Sequence, residues 1–184
     1  MMADLKGAVN PILLAEEDLR RGIELLFFAY RDFTGEADRR LAELGLGRAH
    51  HRAIYFIGRN PGLTVSELLA VLKITKQSLS RVLQELMAEN YVMQNPGATD
   101  RRQRRLSLTP RGEALERQLT EGQRRRLASA YAQAGADAVA SFHKVLLHVI
   151  DDADRPRLPE DEASRRPGAE GALKTAASPL RLAR

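Results

Sequence analysis

The sequence predicts a mainly α-helical protein carrying one small β-hairpin. Three observations predict it. Apolar residues recur at spacings of three and four, short strand-like runs stand at 91–93 and 106–108, and the composition is 43% hydrophobic and 29% charged with 5% aromatic. At 184 residues the chain has room for one compact domain with extensions and would crowd two independent ones.

Over 16–30 the apolar residues Leu19, Ile23, Leu26, Phe27 and Tyr30 share a helical face and mark the first helix. Gly35, Gly45 and Gly47 punctuate the next stretch of chain, and a second helix is expected over 48–59, carrying Ile54, Tyr55 and Ile57. Asn60-Pro61-Gly62 closes it with a turn. Thr64-Val65-Ser66-Glu67 has the capping-box pattern, in which a hydroxyl and a carboxylate satisfy free backbone N–H groups, so a third helix runs to about 72. After the short Lys73-Ile74 connection, Thr75 is the N-cap of a fourth helix ending near Asn90, a residue that tolerates the left-handed conformation. Two short helices across a tight turn are a helix-turn-helix candidate.

Tyr91-Val92-Met93 and Leu106-Ser107-Leu108 flank Asn95-Pro96-Gly97 and four arginines, which reads as a hairpin with a charged tip. Thr109 then caps a long fifth helix to about 133, with Pro110 at its first position, where a missing N–H matters little. A last helix over 137–150 spaces Val139, Phe142, Val145, Leu146 and Val149 on one side. Residues 153–184 hold four of the eight prolines, no aromatic residue and scattered charges of both signs, so a disordered tail is expected there.

Several classes of function are disfavoured. Without cysteine there is no disulfide, thiolate zinc site or thiol-based sensing. No uncharged stretch exceeds ten residues, against the roughly 20 a membrane helix needs, and acidic residues open the first helix where a secretory signal would be basic; a cytoplasmic address is expected. Gly45-Leu46-Gly47 lacks the third glycine and the preceding strand of a dinucleotide site. His50 and His51 are adjacent and point apart, and His143 and His148 lie roughly 140° apart on a helix, so no metal site is argued. Neither an enzyme nor any cofactor is expected.

The charge has a location. Residues 73–111 carry eight basic groups against three acidic ones, and the remainder balances at 21 of each. Such an excess suits a polyanion-binding surface. On a helical wheel Leu79, Val82, Leu83 and Leu86 share the inward face of the fourth helix, with Gln77, Arg81 and Gln84 opposite and Lys76, Ser78 and Ser80 flanking them. Arginine can bond guanine O6 and N7 together, glutamine adenine N6 and N7, and serine a base or a phosphate. An ordinary polar surface face is the bland alternative for this helix, as a solubilising turn is for the hairpin. Against both stands the order of the parts, a capped helix, a tight turn, a polar helix and then an arginine-rich hairpin. The hairpin tip Asp100-Arg101-Arg102-Gln103-Arg104-Arg105 concentrates cations where they can follow phosphates or enter a narrow minor groove. Lys76, Arg101, Arg104 and Arg105 are expected to supply affinity, and Gln77, Ser80, Arg81 and Gln84 discrimination.

With these residues in place the chain resembles the MarR family of transcription regulators over about 15–152. The resemblance rests on Leu44-Gly45-Leu46, on Gly62-Leu63-Thr64-Val65-Ser66-Glu67-Leu68, on 75–86 as recognition helix, and on Asp100 to Gly112, similar to the family's wing with its Asp-x-Arg motif and Leu-Thr-x-x-Gly helix entry. It implies a winged helix-turn-helix at 46–112, an N-terminal extension and first dimerisation helix at 1–45, further dimerisation helices at 113–152, and the tail at 153–184. It also implies a homodimer on pseudo-palindromic double-stranded DNA, with Arg102 as the wing arginine entering the minor groove and Asp100 bracing it. Many members respond to small aromatic acids bound between the dimer helices and the DNA-binding domain; here such an effector crevice would draw on His50, His51, Arg52 and Tyr55. Asn90 departs from the glycine common at its position. The alternative is a winged helix serving protein interaction or architectural nucleic-acid binding without a specific operator.

Overall fold

The computed structural model describes residues 15–97 and 103–158. The chain divides into two units, Met1–Val139 and Ala140–Arg184. The first unit opens with α1 (Glu16–Glu43), whose first turn places Glu16, Glu17 and Asp18 at the positive pole of the helix. This helix does not stop near residue 30 as the glycine punctuation suggests. It continues through Gly35, although a mid-helix glycine costs about 1 kcal/mol relative to alanine, because Ala37 and Leu41 beyond it, like Thr34 just before it, are buried. It ends where Gly45 takes φ +68° and the Leu46 N–H reaches back to the Leu41 carbonyl at 2.9 Å, a Schellman closure.

Next come α2 (Arg48–Arg59), β1 (Leu63–Thr64), α3 (Val65–Leu72) and α4 (Lys76–Ala88). Both expected caps form. Thr64 Oγ1 accepts from the Glu67 N–H while the Glu67 carboxylate accepts from the Thr64 N–H at 2.7 Å, and Thr75 Oγ1 accepts from the Ser78 N–H. Lys73, at φ +49°, makes the turn between α3 and α4. Asn90 closes α4 at φ +56°, as its tolerance of the left-handed region allows, and the Tyr91 N–H bonds the Leu86 carbonyl at 2.8 Å. The start of the wing is thereby tied to the last turn of α4.

The wing consists of β2 (Val92–Pro96) antiparallel to β3 (Arg104–Leu108), from Val92 opposite Leu108 to Pro96 opposite Arg104. These strands are longer than the runs that suggested them, so Arg104 and Arg105 stand in β3 and not at the tip. Pro96 fits because β2 is an edge strand. The sheet also has a third member: β1 pairs through Leu63 with Leu106 and through Thr64 with Arg105, giving the order β1-β3-β2. A two-residue strand leaves no periodic signal, and its pairing is non-local. Residues 98–102 lie outside the described residues.

At the far end of β3, α5 (Pro110–Ala134) starts with Thr109 Oγ1 donating to the Asn90 carbonyl and accepting from the Gly112 N–H. A Cβ at Gly112 would stand 2.0 Å from the Tyr91 carbonyl oxygen, so only glycine lets the two segments meet. One core joins these elements, with Leu41, Ile54, Ile57, Leu68, Leu79, Leu86, Leu106 and Leu119 fully buried.

The helix α6 (Ala136–Val149) runs into the second unit. There Phe142, Val145, Leu147 and Val149 are exposed, and Arg155–Arg157 form a single 3₁₀ turn, with Arg155 Nε donating to the Leu147 carbonyl at 2.9 Å. Of the tail expected over 153–184, the first residues therefore carry local structure, and 159–184 lie outside the described residues. Among the described residues no helix is long and apolar enough to cross a membrane.

Candidate nucleic-acid interface

The amphipathic pattern of α4 sorts its side chains cleanly. Leu79, Val82, Leu83 and Leu86 are buried, and Lys76, Gln77, Ser78, Ser80, Arg81 and Gln84 are all exposed. Those same six residues line one open depression along the helix. The burial of four aliphatic side chains fixes the rotation of α4 about its axis, and that rotation alone determines which polar groups face out.

The six are not equivalent. Ser78 shares a 2.8 Å hydroxyl contact with Thr75, so its side chain sits at the cap as well as on the polar face. The Arg81 Nε donates to Glu85 Oε1 at 2.8 Å, and the second oxygen of Glu85 lies 2.6 Å from His50 Nε2 on α2. Hydrogen bonds from Arg81 first and His50 second hold the Glu85 carboxyl below its ordinary range, and the same contact raises the Arg81 guanidinium above its own.

On the wing, Arg104 and Arg105 are exposed, and Arg105 is steadied by donating from NH1 to the Gly62 carbonyl at 3.1 Å. Asp100, Arg101 and Arg102, expected at the tip, fall outside the described residues. At the wing's base Arg111 stacks over the Tyr91 ring, 4.7 Å from its centroid, and lies 3.6 Å from Glu89.

The four α2 residues expected around an effector do not share one environment. His50 is engaged by Glu85 and, through Nδ1, by the Gly47 N–H. His51 is buried, and burial pushes its imidazole below the ordinary value against the opposing pull of Asp38 and Glu116. Arg52 is exposed, and Tyr55 is half-buried edge-on to Phe56. Among the described residues no three His, Asp or Glu side chains converge as a metal site. Glu85 is the residue that sequence reasoning missed. Its i,i+4 spacing from Arg81 was a usable signal, but its contact with His50, 35 residues away, was not.

The MarR family model matches residues 44–103, the span from the end of α1 to the start of β3. The chain is also 51% identical over 149 residues to the HTH-type transcriptional regulator PetP of Rhodobacter capsulatus, covering 81% of this chain and 90% of that one. The chain belongs to the MarR family. Solved structures agree with the fold of this MarR-family protein. FabT of Streptococcus pneumoniae in complex with DNA matches with a TM-score of 0.63 at 20% identity, over 72% of this chain and 94% of that one. A mutant of MarR from E. coli complexed with operator DNA matches with a TM-score of 0.55 at 22% identity, over 73% and 97%. As a MarR-family member the chain is a winged-helix transcription regulator.

Proposed function

We propose that this regulator binds a pseudo-palindromic duplex operator as a homodimer, each α4 entering a major-groove half-site and each wing reaching the flanking minor groove. The observation that carries this reading is the α4 face on which Lys76, Gln77, Ser78, Ser80, Arg81 and Gln84 stand exposed together. Gln77, Ser80, Arg81 and Gln84 have the donors and acceptors that read base edges, and Lys76, Arg101, Arg104 and Arg105 supply phosphate contacts. Arg102 is assigned to the minor groove and Asp100 to bracing it. Dimerisation is supported by the exposed Leu19, Ile23, Leu26, Phe27 and Tyr30 of α1 and by Phe142, Val145 and Val149 of α6, too much apolar surface for a free helix to leave in water.

The protein acts in the cytoplasm by binding, without catalysis. A small aromatic acid taken up near His50, His51, Arg52 and Tyr55 completes the reading, and a rise in melting temperature on adding salicylate, lost in Arg52→Ala, checks it.

The deciding experiment is fluorescence anisotropy on the duplex upstream of the protein's own gene and on a shuffled duplex of equal length, across a salt series. Binding at least ~10³-fold tighter to the native duplex is expected. Equal, steeply salt-dependent binding to both would instead favour an architectural role.

A further inference from the structure

Glu85 has no task among the base and phosphate contacts just assigned, and a carboxylate on the DNA-facing helix repels phosphate. Its two oxygens are nevertheless fully used. One accepts from the Arg81 Nε at 2.8 Å and the other faces His50 Nε2 at 2.6 Å. We propose that Glu85, itself held by His50, is a positioning residue that sets the Arg81 guanidinium for end-on reading of a guanine, and so determines discrimination at that base. The inference rests on Arg81 being a base reader.

The chain of contacts starts from the backbone. The Gly47 N–H donates to His50 Nδ1 at 3.0 Å, so Nδ1 carries no proton and Nε2 is the nitrogen that donates to Glu85. The His50 side chain is only 12% exposed, whereas Arg81 is 83% exposed. An exposed i,i+4 pair alone is loose. Here the start of α2 orients the imidazole, the imidazole orients the carboxylate, and the carboxylate orients the guanidinium. Engaging Nε leaves the two terminal nitrogens of Arg81, the pair that meets guanine O6 and N7 when the side chain approaches end-on. Glutamine cannot replace Glu85 in this arrangement. Both neighbours donate, and an amide offers one oxygen and one NH2, so one contact becomes donor against donor. Moving the imidazole proton to Nδ1 would only transfer that conflict to Gly47.

The test compares the full-length protein with Glu85→Gln, His50→Asn and Arg81→Ala on a duplex that the wild type selects from a random pool, on its single-base variants, and on a shuffled duplex. His50→Asn keeps an acceptor for the Gly47 N–H while removing the donor to Glu85. Arg81→Ala is expected to lower discrimination by about tenfold or more at one base pair per half-site. Glu85→Gln and His50→Asn should each lower it about three- to tenfold at that same base pair and at no other, while Glu85→Gln binds the shuffled duplex as well or better because a negative charge is gone. In the DNA-free protein, the Arg81 Nε–H resonance should exchange slowly in the wild type and rapidly in both of these variants. Loss of discrimination in Arg81→Ala with unchanged or improved discrimination in Glu85→Gln overturns the positioning role, and so does uniform weakening on every duplex. If Arg81→Ala itself discriminates as the wild type does, the base-reader assignment falls and takes the positioning role with it.

Discussion

The two halves of α1 make opposite use of the same amphipathic pattern. Beyond residue 33 its apolar side is closed, with Thr34, Ala37 and Leu41 buried against the first unit's core. Before it, Ile23 is 68% exposed and Phe27 62%, with Leu19, Leu26 and Tyr30 also open to solvent. The helix-turn-helix and wing are satisfied within one chain, and the N-terminal half of α1 is not. Periodicity alone cannot separate these cases, because a stripe destined for a core and one destined for a second chain look alike in sequence. What covers each stripe is the difference, and it can be tested from both sides.

The largest effect is expected in the closed region. Leu86→Ala removes a fully buried side chain on the inward face of α4 and should cost about 2–5 kcal/mol in urea unfolding. In the open region, Phe27→Glu should leave far-UV dichroism intact while weakening self-association about 100-fold, measured by sedimentation equilibrium. A folded variant that self-associates as tightly as the wild type would refute the assignment of that stripe to a second copy.

Between the two lies His51, buried where α2 meets the groups Asp38 of α1 and Glu116 of α5. Burial lowers its folded-state value below the ordinary 6.5, so the unfolded chain binds the proton more readily. The stability this contributes is complete above about pH 6.5 and is lost as pH falls through the lowered value. Unfolding midpoints taken from pH 8 to 5 should fall, and His51→Gln should flatten that dependence. Thr75→Ala deletes the cap of α4 and should cost about 1 kcal/mol. Smallest is Gly35→Ala, at a helical position with open space around it, which should stabilise by about 0.5–1 kcal/mol and raise the melting temperature.

Gly35 also shows where sequence reading runs out. Glycine signals a break through a local cost of about 1 kcal/mol, and burial of Ala37 and Leu41 downstream, with Thr34 beside it, outweighs it. The caps at Thr64 and Thr75, the left-handed Asn90 and the outward set on α4 were legible because each depends on residues within a turn or two of one another. The pairing of β1 with β3 and the contact of His50 with Glu85 depend on chain segments that only the folded core brings together. Arg104 and Arg105 were legible as cations of the wing, but their place within a strand came from a register that Pro96 obscured.

The unbroken course of α1 has a mechanical side. At 1.5 Å per residue its 28 residues form a rod about 42 Å long. It is gripped near Ala37, where it packs on α5 and α2, and α2 packs in turn on α4. From that grip to Glu16 the lever arm is about 32 Å, so a tilt of about 5° at the grip sweeps the free end through about 3 Å. The leverage also works in reverse, and a displacement of that size imposed at the open end returns to the gripped end as a rotation of a few degrees.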